Sequence, residues 1–207
     1  VKERLGGLHS AKCIMHSVDF AEVEPLQHED RWDVAAEHMV RAALSVEAAG
    51  ADFIVLCTNT MHKTADEIER QTSIPMLHIA DATAEKIKKD GWTTVGLLGT
   101  RFTMEDDFYK GRLIERHSLS VIVPAEDQRQ IVHQVIYDEL CLGVIQPSSK
   151  QKYVRIMDDL VGQGAEAMIL GCTEIGLLVR SEDCQVPVFD TTSIHAEAAV
   201  ALALADE

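Results

Sequence analysis

Residues 50–60 read Gly-Ala-Asp-Phe-Ile-Val-Leu-Cys-Thr-Asn-Thr, and residues 164–174 repeat the pattern as Gly-Ala-Glu-Ala-Met-Ile-Leu-Gly-Cys-Thr-Glu, with one inserted glycine. Each copy begins with two small residues and an acidic residue, continues with a short uninterrupted apolar run, and ends with Cys-Thr and a polar residue. An apolar run of this length is typical of a strand buried on both faces of a parallel sheet. We therefore predict two buried strands, each ending in a Cys-Thr turn that leads into a helix.

Strand and helix signals alternate along the rest of the chain. Before the first copy, we expect a strand over residues 12–18, a polar loop over 19–31, and a helix over 33–49 that ends before a glycine. Further elements follow each copy, among them a helix capped by Asp81 and a long helix over 103–117. This alternation is typical of α/β architecture with parallel sheets.

The two halves of the chain match beyond the Cys-Thr stretches. Residues 74–77, Ile-Pro-Met-Leu, correspond to residues 186–189, Val-Pro-Val-Phe, at a similar distance past the preceding cysteine. We therefore predict two similar open parallel-sheet domains related by a pseudo-twofold axis, with an active site in the cleft between them. The N-terminal half is formed by residues 1–90 plus 190–207, and the C-terminal half by residues 91–189.

One element of the second half has no counterpart in the first half. Residues 95–100, a Val-Gly-Leu-Leu-Gly-Thr run, and the helix expected after them match nothing upstream. From this internal comparison we expect that the sequence lacks an opening strand, a turn and most of a helix.

Composition narrows the classes of partner. The chain has 207 residues and a formal net charge of −15, which speaks against binding to nucleic acid or to an anionic membrane surface, since both attract basic patches. No apolar run approaches the roughly 18 residues of a membrane-spanning helix. Five widely spaced cysteines without a Cys-x-x-Cys pair favour reduced thiols and a cytoplasmic location. Nine scattered histidines form no ligand pattern, so we predict no metal.

The two Cys-Thr turns are the candidate catalytic elements. In open parallel sheets, ligands bind at the carboxyl ends of the strands, so Cys57 and Cys172 are expected to approach one cleft. A helix N-terminus lowers the pKa of a thiol, which predicts that each cysteine exchanges a proton near neutral pH. A lone cysteine at a strand end is more often a packing residue, but repetition in a matched context favours chemistry. Three cysteines lack that context and are expected to be structural: Cys13, Cys141 and Cys184.

Two thiols on opposite faces of one carbon suit the inversion of a stereocentre. One thiolate removes the α-proton while the other thiol delivers a proton to the opposite face, and the roles exchange in the reverse direction. The carbanion needs its charge spread into a carboxylate that is held by fixed donors. Backbone N–H groups, the hydroxyls of Thr58, Thr60 and Thr173, and the Asn59 amide can hold such a carboxylate.

At these residues the chain resembles the aspartate/glutamate racemase superfamily, whose members work without pyridoxal phosphate or a metal. The resemblance is carried by Val-Leu-Cys-Thr-Asn-Thr-Met-His-Lys at 55–63, Leu-His-Ile-Ala-Asp at 77–81, Leu-Gly-Cys-Thr-Glu-Ile at 170–175 and Phe-Asp-Thr-Thr at 189–192. It covers essentially the whole chain and is greatest to the bacterial broad-specificity amino-acid racemases. It implies a cofactor-independent racemase that acts on a small-molecule amino acid, and a homodimer.

The resemblance also implies roles for individual positions. Cys57 and Cys172 look like the paired catalytic acid and base. The implied substrate-binding residues are Gln27, Thr58, Asn59, Thr60, Thr100, Thr173 and Glu174. Gln27 lies where aspartate-selective relatives tend to carry an arginine, and residues 140–143 contain no lysine, where those relatives tend to place one. Both departures favour uncharged or polar side chains in the substrate, and therefore broad specificity.

Other functions remain open on the sequence alone. On the same scaffold, a strictly aspartate- or glutamate-selective racemase, a hydantoin racemase or a decarboxylase would fit. A decarboxylase of this type retains one working cysteine, whereas two are paired here. A non-catalytic amino-acid-binding protein is the alternative from another class, and loss of activity in both Cys57→Ser and Cys172→Ser would exclude it.

Overall fold

A computed structural model of the protein describes residues 1–205. The strands are β1 (Ile54–Val55), β2 (Met76–Leu77), β3 (Thr94–Gly99), β4 (Ser120–Ile122), β5 (Ala167–Gly171) and β6 (Val188–Asp190). The helices are α1 (Lys2–Leu5), α2 (Phe20–His28), α3 (Trp32–Ala48), α4 (Ala65–Gln71), α5 (Ile79–Lys89), α6 (Arg101–Glu105), α7 (Lys110–His117), α8 (Glu126–Asp138), α9 (Pro147–Gly162), α10 (Ile175–Leu178) and α11 (Thr191–Ala203). Short 3₁₀ segments cover Thr60–Thr64, Leu140–Leu142 and Ser181–Asp183. All strand pairs in this part of the chain are parallel, which confirms the α/β fold class.

The described chain groups into two compact units. The first unit comprises residues 1–56, 63–78 and 196–205, and the second comprises residues 57–62 and 79–195. This grouping differs from a division at residue 90, because α5 packs against α7 and therefore belongs with the second unit. The two duplicated halves stay a prediction.

The first unit is built on a pair of short parallel strands. β1 and β2 align Ile54 with Met76 and Val55 with Leu77. Helix α3 packs against β1, α2 and α4, and it buries a stripe that recurs every four residues: Ala35, Met39 and Ala43. This spacing places one apolar face of a helix against a core. The helix prediction for this region is confirmed.

Two predictions for the start of the chain were wrong. Residues 12–18 are exposed and irregular, because a strand needs backbone hydrogen bonds to a neighbouring strand and no described strand pairs with this segment. The expected loop at 19–31 is largely helix α2. The Asp19 carboxylate accepts a hydrogen bond from the Ala21 N–H and caps this helix, while Val23 and Leu26, three residues apart, bury its apolar face.

The second unit contains a four-stranded parallel sheet in the order β4-β3-β5-β6. β3 and β5 are buried along almost their whole length, as the uninterrupted apolar runs predict. At Gly96 in β3, an added Cβ would lie 2.7 Å from the Met168 sulfur and 3.2 Å from a Leu160 methyl carbon. This glycine therefore allows the close packing of the sheet.

Two helix predictions in this unit need correction. The expected helix over 103–117 is divided into α6 and α7, and the break between them contains Tyr109, which is fully buried. Asp81 does not cap α5, because that helix already begins at Ile79. The Asp81 carboxylate instead accepts two hydrogen bonds from Arg112, at 2.7 and 2.6 Å. This ion pair joins α5 to α7.

No helix within residues 1–205 combines the length and the apolar character that a membrane crossing requires.

Candidate active site

The strand register brings the residues that directly follow three of the strands to one edge of the four-stranded sheet. Gly99 at the end of β3 is aligned with Gly171 at the end of β5, and Leu170 of β5 is aligned with Asp190 of β6. The residues that follow these strands, Thr100, Cys172 and Thr191, therefore lie at the carboxyl edge. In open parallel sheets this is the edge at which ligands bind.

The inserted glycine of the second repeat has a steric explanation at this edge. A Cβ at Gly171 would lie 2.9 Å from the Leu98 carbonyl oxygen and 3.3 Å from a Thr103 methyl carbon. At Gly99, it would lie 2.8 Å from the Gly171 carbonyl oxygen. Distances this short to backbone atoms leave no room for a side chain, so both strand ends require glycine.

The turn of the first repeat, residues 57–60, is fastened to the same edge. The hydroxyls of Thr60 and Thr100 share a hydrogen bond of 2.9 Å, and the Asn59 amide nitrogen donates to the Thr191 hydroxyl at 3.0 Å. Thr100 directly follows β3 and Thr191 lies directly after β6, and these are the two strands that flank β5. The turn that carries Cys57 is therefore tied to both sides of the strand that leads into Cys172.

The hydrogen bonds fix the orientation of the Asn59 amide. The Thr191 hydroxyl donates to the Leu170 carbonyl oxygen at 2.8 Å, so its oxygen must accept from the Asn59 nitrogen. The Asn59 carbonyl oxygen is then left buried, with no hydrogen-bond partner among the described residues. A buried acceptor of this kind is costly unless a hydrogen-bond donor reaches it, and either an ordered water or the N–H or O–H group of a ligand can do so.

Cys172 is buried, and its thiol donates a hydrogen bond to the Glu174 carboxylate at 3.0 Å. Burial raises the pKa of this thiol well above its usual value, and the neighbouring Glu174 charge raises it further. The expectation that a helix N-terminus lowers the pKa of Cys172 was wrong. The helix that follows, α10, has only four residues, and desolvation and a carboxylate dominate the environment.

Cys57 has a different environment. The residue is exposed to solvent, although the surrounding protein partly desolvates the thiol and thereby raises its pKa. Here too a lowered pKa was the wrong expectation, because a 3₁₀ segment rather than an α-helix follows the turn. Burial raises the pKa of both thiols and does so more strongly at Cys172, which makes Cys57 the easier of the two to ionise.

The other predicted site residues are divided between the units. Thr58 and Thr173 are half-buried neighbours of the two cysteines. Gln27 lies in the first unit, where it is buried on α2 rather than in a loop. Its role in substrate selection stays a prediction.

Two residues at this edge were not singled out from the sequence. Thr191 anchors Asn59, and its signal was a Thr directly after an expected strand. His62 is buried and contacts the Thr58 carbonyl oxygen. The only indication in the sequence was its position, four residues after Thr58 of the Cys-Thr turn. The rings of His62 and His195 lie edge to face, with centroids 6.0 Å apart.

Comparison with known proteins defines the class. The Asp/Glu/hydantoin racemase family profile matches residues 1–199. The chain belongs to this family and is an isomerase of the amino-acid racemase type. The resemblance read from the sequence is confirmed at the level of the family.

Three relatives show how close the likeness is. A Yersinia pestis protein, described as a candidate Asp/Glu racemase, shares 55% identity and a TM-score of 0.91, covering 99% of this chain and 89% of that one. An aspartate racemase homologue from Pyrococcus horikoshii shares 35% identity and a TM-score of 0.82, covering 98% and 88%. The broad specificity amino-acid racemase RacX of Bacillus subtilis is 27% identical over 87% of this chain and 76% of its own length.

Proposed function

We propose that this protein inverts the α-carbon of amino acids without a cofactor, with Cys57 and Cys172 as the acid and base. The observation that carries the proposal is the attachment of the 57–60 turn to the strand ends on either side of β5. This attachment brings the turns of both cysteines to one sheet edge within one compact unit. A single carbon held there can exchange protons with two thiols.

The different pKa shifts of the two thiols assign them different roles in the first half of the reaction. Cys57, which is exposed and ionises more easily, first loses its proton to solvent. As the thiolate it removes the α-proton of one enantiomer, and Cys172 delivers its proton to the opposite face of the carbanion. After this step Cys57 is the thiol and Cys172 the thiolate. In the reverse direction Cys172 must first be a thiolate, and the Glu174 carboxylate at 3.0 Å is the acceptor within reach of its proton.

The polar groups of the turns hold the substrate. The buried Asn59 carbonyl oxygen accepts a hydrogen bond from the substrate ammonium group. The hydroxyls of Thr58 and Thr173, beside the two cysteines, donate to the substrate carboxylate, into which the carbanion charge spreads. Thr60 and Thr100 support this arrangement through their mutual hydrogen bond.

Broad substrate specificity is the second part of the proposal. Gln27 is uncharged, and residues 140–143, Leu-Cys-Leu-Gly, contain no lysine to read a distal carboxylate. The similarity to RacX supports the same conclusion. The alternative is strict selectivity for aspartate or glutamate, which the 35% identity to the Pyrococcus horikoshii aspartate racemase homologue favours.

Solvent-deuterium incorporation at Cα, followed by NMR over a panel of L- and D-amino acids, tests the proposal. We expect incorporation with inversion for several amino acids with uncharged side chains. Incorporation with aspartate and glutamate alone would support the selective racemase. Absence of exchange with every amino acid, in a protein with a folded spectrum, would overturn the proposed reaction.

A further inference from the structure

We propose that His62 is a positioning residue that holds the Cys57 turn in its reactive place. The inference rests on the proposed function, because it assumes that Cys57 exchanges a proton with substrate. Nδ1 of His62 lies 2.6 Å from the Thr58 carbonyl oxygen, one residue past Cys57. Nε2 lies 3.1 Å from the Ile79 backbone nitrogen, at the first residue of α5. One ring therefore joins the turn to a helix.

The two contacts define the state of the ring. The Ile79 N–H can only donate, so Nε2 must be the acceptor and carry no hydrogen. The Thr58 carbonyl can only accept, so Nδ1 carries the hydrogen and donates it. Only the neutral Nδ1–H tautomer makes both bonds, because a protonated ring would present a second N–H to the N–H of Ile79.

The surroundings of His62 keep it neutral. Burial lowers its pKa to about 3, opposed by the hydrogen bond to Thr58. The charged and titratable groups that act on it are His195 and Arg112, which lower the pKa, and Asp81, which raises it. At physiological pH this ring is therefore a fixed pair of one donor and one acceptor.

The helix that His62 contacts is itself anchored. The Asp81 carboxylate on α5 is paired with Arg112 of α7 at 2.6 Å and with His117 at 2.8 Å. The turn is thus held in two ways: its side chains at Asn59 and Thr60 bind the strand ends, and its backbone is braced through His62 to α5. In the proposed function the side-chain anchors serve substrate binding, whereas the contact of His62 with the backbone is made at Thr58, the residue after Cys57.

Because the brace acts beside Cys57, its loss should affect one thiol more than the other. A displacement of about 1 Å at a reacting group costs about 10²-fold in rate. In His62→Leu, which fills similar space and makes neither hydrogen bond, we expect turnover to fall about 10- to 100-fold. The KM should change far less, since Asn59 and Thr60 keep their anchors. In His62→Asn, whose amide can donate where Nδ1 does, we expect partial recovery of turnover.

The distinguishing readout is α-hydrogen exchange measured separately with the D- and the L-enantiomer. We expect His62→Leu to slow exchange with the same enantiomer that Cys57→Ala affects, and to leave exchange with the other enantiomer, which Cys172 handles, within about threefold of wild type. Leu160→Ala, a core truncation in the same unit, serves as the control with matched loss of stability. It should slow both enantiomers equally or neither.

Four results would decide the matter. Selective loss in His62→Leu with recovery in His62→Asn supports the positioning role. Equal loss with both enantiomers in His62→Leu, as in a merely destabilised protein, overturns it, and so does wild-type exchange. If Cys57→Ala and Cys172→Ala themselves leave exchange unchanged, the proposed function fails instead.

Discussion

The two copies of the Cys-Thr repeat share a sequence pattern but differ in structure. In the first copy, the strand β1 has two residues, Cys57 is exposed, and the turn depends on hydrogen bonds to other segments. In the second copy, β5 has five fully buried residues, and the turn directly follows this strand of the four-stranded sheet. Cys172 is correspondingly buried and hydrogen-bonded to Glu174.

This difference shows that the pKa of each thiol is set by the protein around it, and not by the Cys-Thr motif that both thiols share. Both thiols have a raised pKa, but burial and a carboxylate raise that of Cys172 much further. A racemase needs two groups that can exchange the roles of acid and base, not two identical groups. In the proposed mechanism, the unequal environments leave the proton on Cys172 and make Cys57 the first base.

The largest expected difference between the copies is the response of His62 to acid. The first copy has a buried histidine five residues past its cysteine, where the second has Leu177, which is exposed. The pKa of His62 is about 3 in the folded protein and about 6.5 when unfolded. Below pH 6.5 the unfolded chain binds a proton that the folded protein does not, so stability falls, by about 2 kcal/mol from this residue between pH 6.5 and 4.5.

Urea unfolding of wild type and His62→Gln over this pH range measures the contribution. The stability advantage of the wild type should shrink as the pH falls, because the variant lacks the titrating ring. A constant difference between the two proteins across the range would show that His62 is protonated in the folded state.

A smaller effect is expected at the inserted glycine of the second copy. Gly171→Ala would place a methyl group 2.9 Å from the Leu98 carbonyl oxygen, and we expect a loss of about 1–3 kcal/mol in the free energy of unfolding. Gly162→Ala is the matched control, since nothing lies within 4 Å of the added atom at the end of α9. It should be neutral or stabilising by up to about 1 kcal/mol. Equal stabilities of the two variants would contradict the close approach of β3 and β5.

The smallest effect concerns the reactivity of the thiols. Iodoacetamide should alkylate Cys57 about tenfold faster than Cys172 or more at pH 8, because only the thiolate reacts and Cys172 ionises with more difficulty. Peptide mass spectrometry over time gives both rates. Glu174→Gln removes the repelling charge and should lower the pKa of Cys172, bringing the two rates closer. Faster alkylation of Cys172 in the wild type would reverse the assignment of the first base.

Much of the architecture could be predicted from the sequence because its signals are local. Uninterrupted apolar runs identified β3 and β5, and a four-residue apolar spacing identified α3. The repeat of Cys-Thr after a buried strand identified the residues of the candidate site. The segment at 12–18 was misjudged because strand propensity says nothing about whether a pairing partner is present.

The details of the site depend on contacts between distant residues, which one sequence does not reveal. The partner of Asn59 is Thr191, 132 residues away, and the acceptor of the Cys172 proton is set by the local path of the chain after β5. The pKa prediction failed for the same reason: it considered the helix that follows each thiol, whereas desolvation depends on everything that surrounds it.

The most direct test of the two-thiol account is α-deuterium exchange with each pure enantiomer in Cys57→Ala and Cys172→Ala. We predict that each variant loses inversion and loses exchange with one enantiomer only, and that the enantiomer lost is different in the two variants. Loss of exchange with the same enantiomer in both variants, or inversion that persists in either, would contradict the assignment of one thiol to each face of the α-carbon.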